Sequence, residues 1–169
     1  SLAGSAGVHV TRLTLVPVSV FRQPHVQKVQ FDPIDGLTYI ASFSAYDFIL
    51  GVAADSPYKT LQDVVADAKK HPNEVNYGTP GRNTGNHVAG ALLARAAGVE
   101  MTHVPFKGDS EAINALLAGH IKTAILTNGI LTFMESGKVR ALAVASEKRP
   151  AAFAQVPTFK EAGFDVVIP

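Results

Sequence analysis

From about residue 56 the apolar positions fall into two alternating rhythms. Leu61, Val64, Val65 and Ala68 recur at helical spacing behind a Thr60 and Asp63 capping pair, and Pro72 ends that helix. A β-rich run at 75–77 follows. Residues 78–86 form a Gly/Asn/Thr loop opening a second helix, predicted to turn Val88, Leu92 and Ala96 inward and to end at Gly98. A short apolar strand at 101–104 leads to a third helix capped by Asp109 or Ser110, holding Ile113, Leu116 and Leu117 and closed by Gly119. A strand at 121–126 comes next. Asn128 is placed to cap a segment at 130–136 that Gly137 ends, and 139–145 is the most strand-like run of the chain. Thr158 with Glu161 predicts a last short helix ending at Gly163, before a strand near 166–168. Strands and helices alternating at this spacing predict βαβ units, an α/β fold with a largely parallel sheet flanked by helices.

The first 55 residues have a different texture. Residues 10–20 and 37–54 hold β-rich runs without a helix of comparable length, and 22–35, with Pro24 and Pro33, has the character of a connection. No repeat of fixed period and no low-complexity tract interrupts the chain.

Composition narrows the function more than the fold. With 169 residues, 47% apolar and only 17% charged, the chain suits one packed domain. Fifteen Lys and Arg against 14 acidic residues leave a net charge of +1, too weak a field to hold nucleic acid or an anionic membrane nonspecifically. No apolar run reaches membrane-spanning length, and no basic-then-apolar leader opens the sequence. Absence of cysteine excludes disulfides, thiolate metal sites and cysteine nucleophiles.

The most informative stretch is Gly78-Thr79-Pro80-Gly81-Arg82-Asn83-Thr84-Gly85-Asn86-His87. Free N–H groups in a helix's first turn carry the positive end of its dipole, and glycines let backbone close around a carboxylate or phosphate. A plain capping loop uses the same residue types. The stretch is not a Walker A loop, because Asn86 and His87 stand where Lys and Ser/Thr are required, and its glycine spacing is wrong for a dinucleotide fingerprint. Phe106-Lys107-Gly108-Asp109-Ser110 is a second strand-to-helix turn on the same sheet edge, and Thr127-Asn128-Gly129 a third. In parallel sheets that carboxyl edge is where ligands sit.

Enzyme-like matches are weak. Ser56-Pro57-Tyr58-Lys59 fits S-x-x-K without its companion elements, and Gly108-Asp109-Ser110 lacks the G-x-S-x-G elbow because Ala112 holds the last glycine's place. The six histidines (9, 25, 71, 87, 103 and 120) form no metal-ligand spacing, so no metal and no cofactor is expected. His87 and His103 suit hydrogen-bonding struts, one in a helix's first turn and one in a strand.

Four stretches carry a resemblance in order and spacing: Asn76-Tyr77-Gly78-Thr79-Pro80-Gly81 with Thr84 and His87; His103-Val104-Pro105-Phe106-Lys107-Gly108; Gly137-Lys138-Val139-Arg140-Ala141-Leu142-Ala143-Val144; and Val156-Pro157-Thr158-Phe159-Lys160-Glu161-Ala162-Gly163. Together with Phe31-Asp32-Pro33 and Asp55-Ser56-Pro57, the sequence from about Gln23 onward resembles the TctC/Bug family, the extracytoplasmic solute receptors of tripartite tricarboxylate transporters. The resemblance implies one lobe of a two-lobed periplasmic-binding-protein fold of type II. Residues 1–30 would be an N-terminal connection or strand region, 31–146 the central ligand-binding lobe, and 147–169 a return toward the other lobe. It implies a periplasmic location and no enzymatic role. The expected partners are a small organic carboxylate and the membrane permease subunits. A surface otherwise covered by the second lobe would also allow a homodimer. Carried onto this sequence, the ligand contacts are Thr79, Gly81, Asn83 and Thr84, then Lys107, Gly108 and Asp109, with Thr127 and Asn128 as a looser match. Departures from the family pattern are Asn83 for a frequent glycine, Phe106 for tyrosine, and Lys122 near a usual acidic residue. Two rival functions are a ligand-sensing lobe feeding a regulatory partner and a serine hydrolase using Ser110 or Ser56.

Overall fold

The computed structural model describes residues 46–168. The chain divides into two compact units, 1–40 and 41–169, and the architecture below belongs to the second. The expectations for 10–20, 22–35 and Phe31-Asp32-Pro33 lie outside the described residues.

Five strands build the sheet: β1 (Ile49–Ala53), β2 (Asn76–Thr79), β3 (Thr102–Pro105), β4 (Thr123–Leu126) and β5 (Val139–Val144). Four helices accompany them: α1 (Leu61–Lys70), α2 (Gly85–Ala97), α3 (Asp109–Leu117) and the short α4 (Leu131–Glu135). The strand order is β3-β2-β4-β1-β5. β2 runs parallel to both β3 and β4, while β1 runs antiparallel between β4 and β5. Four of the five strands therefore point the same way, the largely parallel α/β sheet that the alternation predicts.

Each face of the sheet carries its own core. On one, Leu61, Val64 and Ala68 of α1 and Ala89 and Leu93 of α2 pack with Leu50, Val52, Tyr77, Ile125 and Phe159. On the other, Ala112, Ile113 and Leu116 of α3 pack with Ile49, Ala124, Leu126, Ile130 and Phe153. Neighbouring residues of β1 and β4 alternate between the two clusters, as the period-two side-chain geometry of a strand requires.

α1 forms as its pattern dictates. Thr60 Oγ1 accepts from Asp63 N and the Asp63 carboxylate accepts from Thr60 N, a complete capping box, and Leu61, Val64, Val65 and Ala68 are all buried. α2 ends at Gly98, whose φ of 63° is the left-handed cap that glycine provides without steric cost. The buried line of α2 differs from the expected one, running through Ala89, Leu93 and Ala97 while Leu92 is 37% exposed. The stripes 88/92/96 and 89/93/97 are adjacent on the helix and both apolar, so periodicity alone cannot choose between them. Contact with Tyr77 chooses, because Gly90 lies where any Cβ would fall 2.2 Å from the Tyr77 ring.

Other local expectations shift. α3 is capped by Gly108 and not by the side chain of Asp109 or Ser110, and Leu117 faces outward at 39% exposure. Asn128 starts a 3-10 turn (Asn128–Ile130) and caps nothing, since its Oδ1 accepts from Asp47 N across the sheet edge. Thr158 and Glu161 form their reciprocal bonds, but Gly163 at φ 96° closes the segment as a turn before a helix can propagate. Residues 166–168 add no strand. Ile168 N donates to Ala145 O without building a ladder.

Candidate functional site

The strand order produces a crevice by topology. From β2 the chain crosses to β3 through α2 on one face, then returns past β2 to β4 through α3 on the other. Adjacent parallel strands whose connections leave to opposite faces open a cleft outside their carboxyl ends. Thr79 and Pro105 are paired neighbours at those ends, and Phe106 N donates to Thr79 O at 2.8 Å. The turns at 78–87 and 106–110 thus share one edge. The turn after β4 joins them through Asp109, whose Oδ2 accepts from Thr127 N at 3.2 Å and from Thr127 Oγ1.

The first turn is held from within. Thr79 is fully buried, with its hydroxyl donating to Gly81 O at 2.9 Å and lying 2.7 Å from His103 Nε2. Thr84 is the N-cap of α2. Its Oγ1 accepts from His87 N at 3.3 Å and donates to Gly81 O at 3.0 Å. Asn83 sits at φ 61°, the left-handed region that Asn tolerates better than most residues. Its N–H donates to His87 Nδ1 at 3.2 Å, so the neutral His87 ring carries its proton on Nε2.

The two histidines stack face to face, with centroids 4.0 Å apart and planes 12° off parallel, and Tyr77 lies 5.1 Å beyond His103. Burial, then His87 and then Arg82 push the His103 pKa down to about 4, and burial followed by Arg82 lowers that of His87. Both rings are neutral at pH 7 and act as the struts expected of them. Asn86 is a positioning residue that the sequence reading missed. It is 3% exposed, and its Nδ2 donates to Ile125 O at 3.0 Å, fastening the first turn of α2 to β4. An amide side chain in the first turn of a helix was the available signal, but its acceptor lies 39 residues away.

The second turn is more open. Lys107 is exposed, and its backbone N–H donates to Glu111 Oε2 at 3.1 Å. Gly108 makes no side-chain cap, so the amides of the first turn of α3 keep the unsatisfied donors of a helix N-terminus. Each expected residue therefore lies at this one edge. Thr79, Asn83, Thr84, Thr127 and Asn128 have internal partners, whereas the Gly108 to Ser110 backbone and the Lys107 side chain face outward without a cap. Of the two serines weighed as nucleophiles, Ser56 Oγ accepts from Tyr58 N at 3.2 Å and Ser110 is exposed on α3. His87 and His103 engage Asn83 and Thr79 instead. Among the described residues no cluster of three or more potential metal ligands occurs.

Comparison with known proteins bears on the family and the fold. A family model described as the tripartite tricarboxylate transporter family receptor matches residues 7–169. A Cupriavidus necator protein described as a UPF0065 protein in the gbd 5' region is 42% identical over 155 residues, covering 92% of this chain and 47% of the relative. The crystal structure of a TctC solute-binding protein from Polaromonas, solved without ligand, superposes with a TM-score of 0.67 at 34% identity, over 72% of this chain and 42% of that one. The R. palustris protein Rpa4515, solved with adipate, gives a TM-score of 0.69 at 28% identity, over 73% of this chain and 42% of that one. The chain spans about half the length of the curated relatives it matches. By sequence and by fold, it belongs to the tripartite tricarboxylate transporter receptor family, TctC.

Proposed function

We propose that this chain supplies one ligand-binding lobe of a periplasmic solute receptor that captures a small organic carboxylate and presents it to the membrane permease of a tripartite tricarboxylate-type transporter. It performs no covalent chemistry. The observation that carries this reading is the pair of helix N-termini, α2 and α3, opening from adjacent parallel strands onto one crevice, with that of α3 lacking a side-chain cap. Such amides bind a carboxylate without further machinery, and a ligand held by backbone needs no catalytic group beside it. In this reading the amides from Gly108 onward and the Gly81 turn hold the carboxylate, and Lys107 supplies a flanking positive charge. Thr79, Asn83, Thr84, Thr127 and Asn128 shape the turns, while Asp109 borders the ligand. The adipate seen in the Rpa4515 structure makes a carboxylate the natural class to test.

Residues 31–146 would form the binding lobe, and 147–169 would carry the chain back toward the second lobe. The test is calorimetry on the full-length protein with a panel of short mono- and dicarboxylates. At least one is expected to bind saturably and to raise the melting temperature as mass action requires. A folded protein indifferent to the whole panel would overturn the reading.

A further inference from the structure

The turn after β4 holds the one Asn-Gly step of the sequence, Asn128-Gly129; the other asparagines are followed by Glu74, Tyr77, Thr84, His87 and Ala115. An asparagine side-chain carbonyl can be attacked by the backbone nitrogen of the next residue, closing a cyclic succinimide. Glycine hinders that closure least, because it has no Cβ and the widest range of backbone angles.

The surroundings supply what the reaction needs. Asn128 is half-buried and Gly129 exposed, so water reaches the pair. The Gly129 N–H, the nucleophile, donates to no acceptor among the described residues, whereas Ile130 N, one place on, is tied to Thr127 O at 3.1 Å. Asp47 N donates at 3.2 Å to Asn128 Oδ1, the oxygen that gains negative charge as the new bond forms. Asn128 Nδ2, the leaving nitrogen, has no bond of its own among the described residues. The Asp109 carboxylate stands beside Gly129, its Oδ2 3.8 Å from where a Cβ would lie, within reach of the amide proton through one water. Attack requires Asn128 to rotate out of its 3-10 conformation, and a single short turn, Asn128–Ile130, is all that resists.

We infer that Asn128 is a self-modification site. The bond from Gly129 N to Asn128 Cγ forms, the Cγ–Nδ2 bond breaks, and ammonia leaves with the proton from Gly129 N. Water then opens the succinimide at either carbonyl to give an aspartyl or isoaspartyl linkage, with no oxidant, reductant or enzyme. Either product adds a carboxylate between Thr127 and Gly129, both of which adjoin Asp109, and so lowers affinity for an anion at this edge. That consequence rests on the carboxylate-receptor reading above; the modification itself does not.

The test is incubation of the native full-length protein in mildly alkaline buffer, followed by mass-spectrometric peptide mapping of every asparagine. Asn128 should convert at least about tenfold faster than Asn73, Asn83 and Asn114, which are all exposed, and Gly129→Ala, for which there is room, should slow it at least about tenfold. A rate at Asn128 no higher than at those three, or the same rate in Gly129→Ala, overturns the inference. So does conversion that begins only once urea unfolds the chain, because the fold is then protecting the step. Calorimetry of Asn128→Asp with the carboxylate panel should show affinity reduced about tenfold. Unchanged affinity there removes the functional consequence. Binding of no acid by the parent sinks the receptor reading and leaves the modification standing.

Discussion

His103 Nε2 lies 2.7 Å from the hydroxyl of Thr79, and this bond joins strand β3 to the turn that follows β2. The Thr79 hydroxyl proton goes to Gly81 O, so His103 Nε2–H is the donor in this bond, and burial, His87 and Arg82 together hold the ring's pKa at about 4. In the unfolded chain the ring has an ordinary histidine pKa near 6.5 and takes up its proton first. Stability from this group is therefore complete above about pH 6.5 and is lost as pH falls from there toward 4. Urea titrations between pH 7.5 and 4.5 should show a falling midpoint, and His103→Gln should flatten that slope. A variant with the parent's full pH dependence would exclude His103 as its source.

Gly90 controls how closely α2 approaches the sheet. An alanine Cβ there would lie 2.2 Å from the Tyr77 ring, which is buried and cannot swing aside freely. Gly90→Ala gains helix propensity but overpacks, and a net loss of about 1–3 kcal/mol is expected. Chemical denaturation gives the number. An unchanged or raised midpoint would show that α2 can slide outward at no cost.

Asn86 and the Ile125 carbonyl form a buried pair between α2 and β4. Asn86→Ala leaves that carbonyl desolvated without its donor, at a cost of about 1–3 kcal/mol. Because the same bond sets the first turn of α2 against the crevice, ligand affinity should weaken as well. Lost stability with unchanged affinity would separate the helix anchor from the binding site.

Phe159 is fully buried against the face that carries α1 and α2, although it lies beyond the last strand. Truncation to alanine should cost about 3–5 kcal/mol, the range for a large aromatic removed from a packed core. A loss under about 1 kcal/mol would mean that the segment around 159 detaches without disturbing the sheet.

Much of the fold is legible in the sequence. Thr60 and Asp63 announce a capping box that forms in full, and Gly98 announces a left-handed cap that appears at φ 63°. These depend on neighbours three or four residues away, within reach of local pattern. The same reasoning failed for α2, where two adjacent apolar stripes competed, and for Asn128, whose side chain answers an amide 81 residues earlier. The crevice followed from the alternation of strands and loops. Which donors inside it remain open did not.

The amino-acid sequence by itself determined the succession of strands and helices from α1 to β5 and the glycine-rich turns on one sheet edge, because helix caps, periodicity and backbone freedom are local properties. Only the tertiary structure decided that β1 inserts antiparallel between β4 and β5, that Gly90 seats α2 on Tyr77, and that Asp109 meets Thr127. The pairs Asp109 with Thr127, Thr79 with His103, and Asn86 with Ile125 join residues 18 to 39 positions apart. Such contacts exist only after separate elements have been packed together, and they fix which groups at this sheet edge are already bonded and which are not.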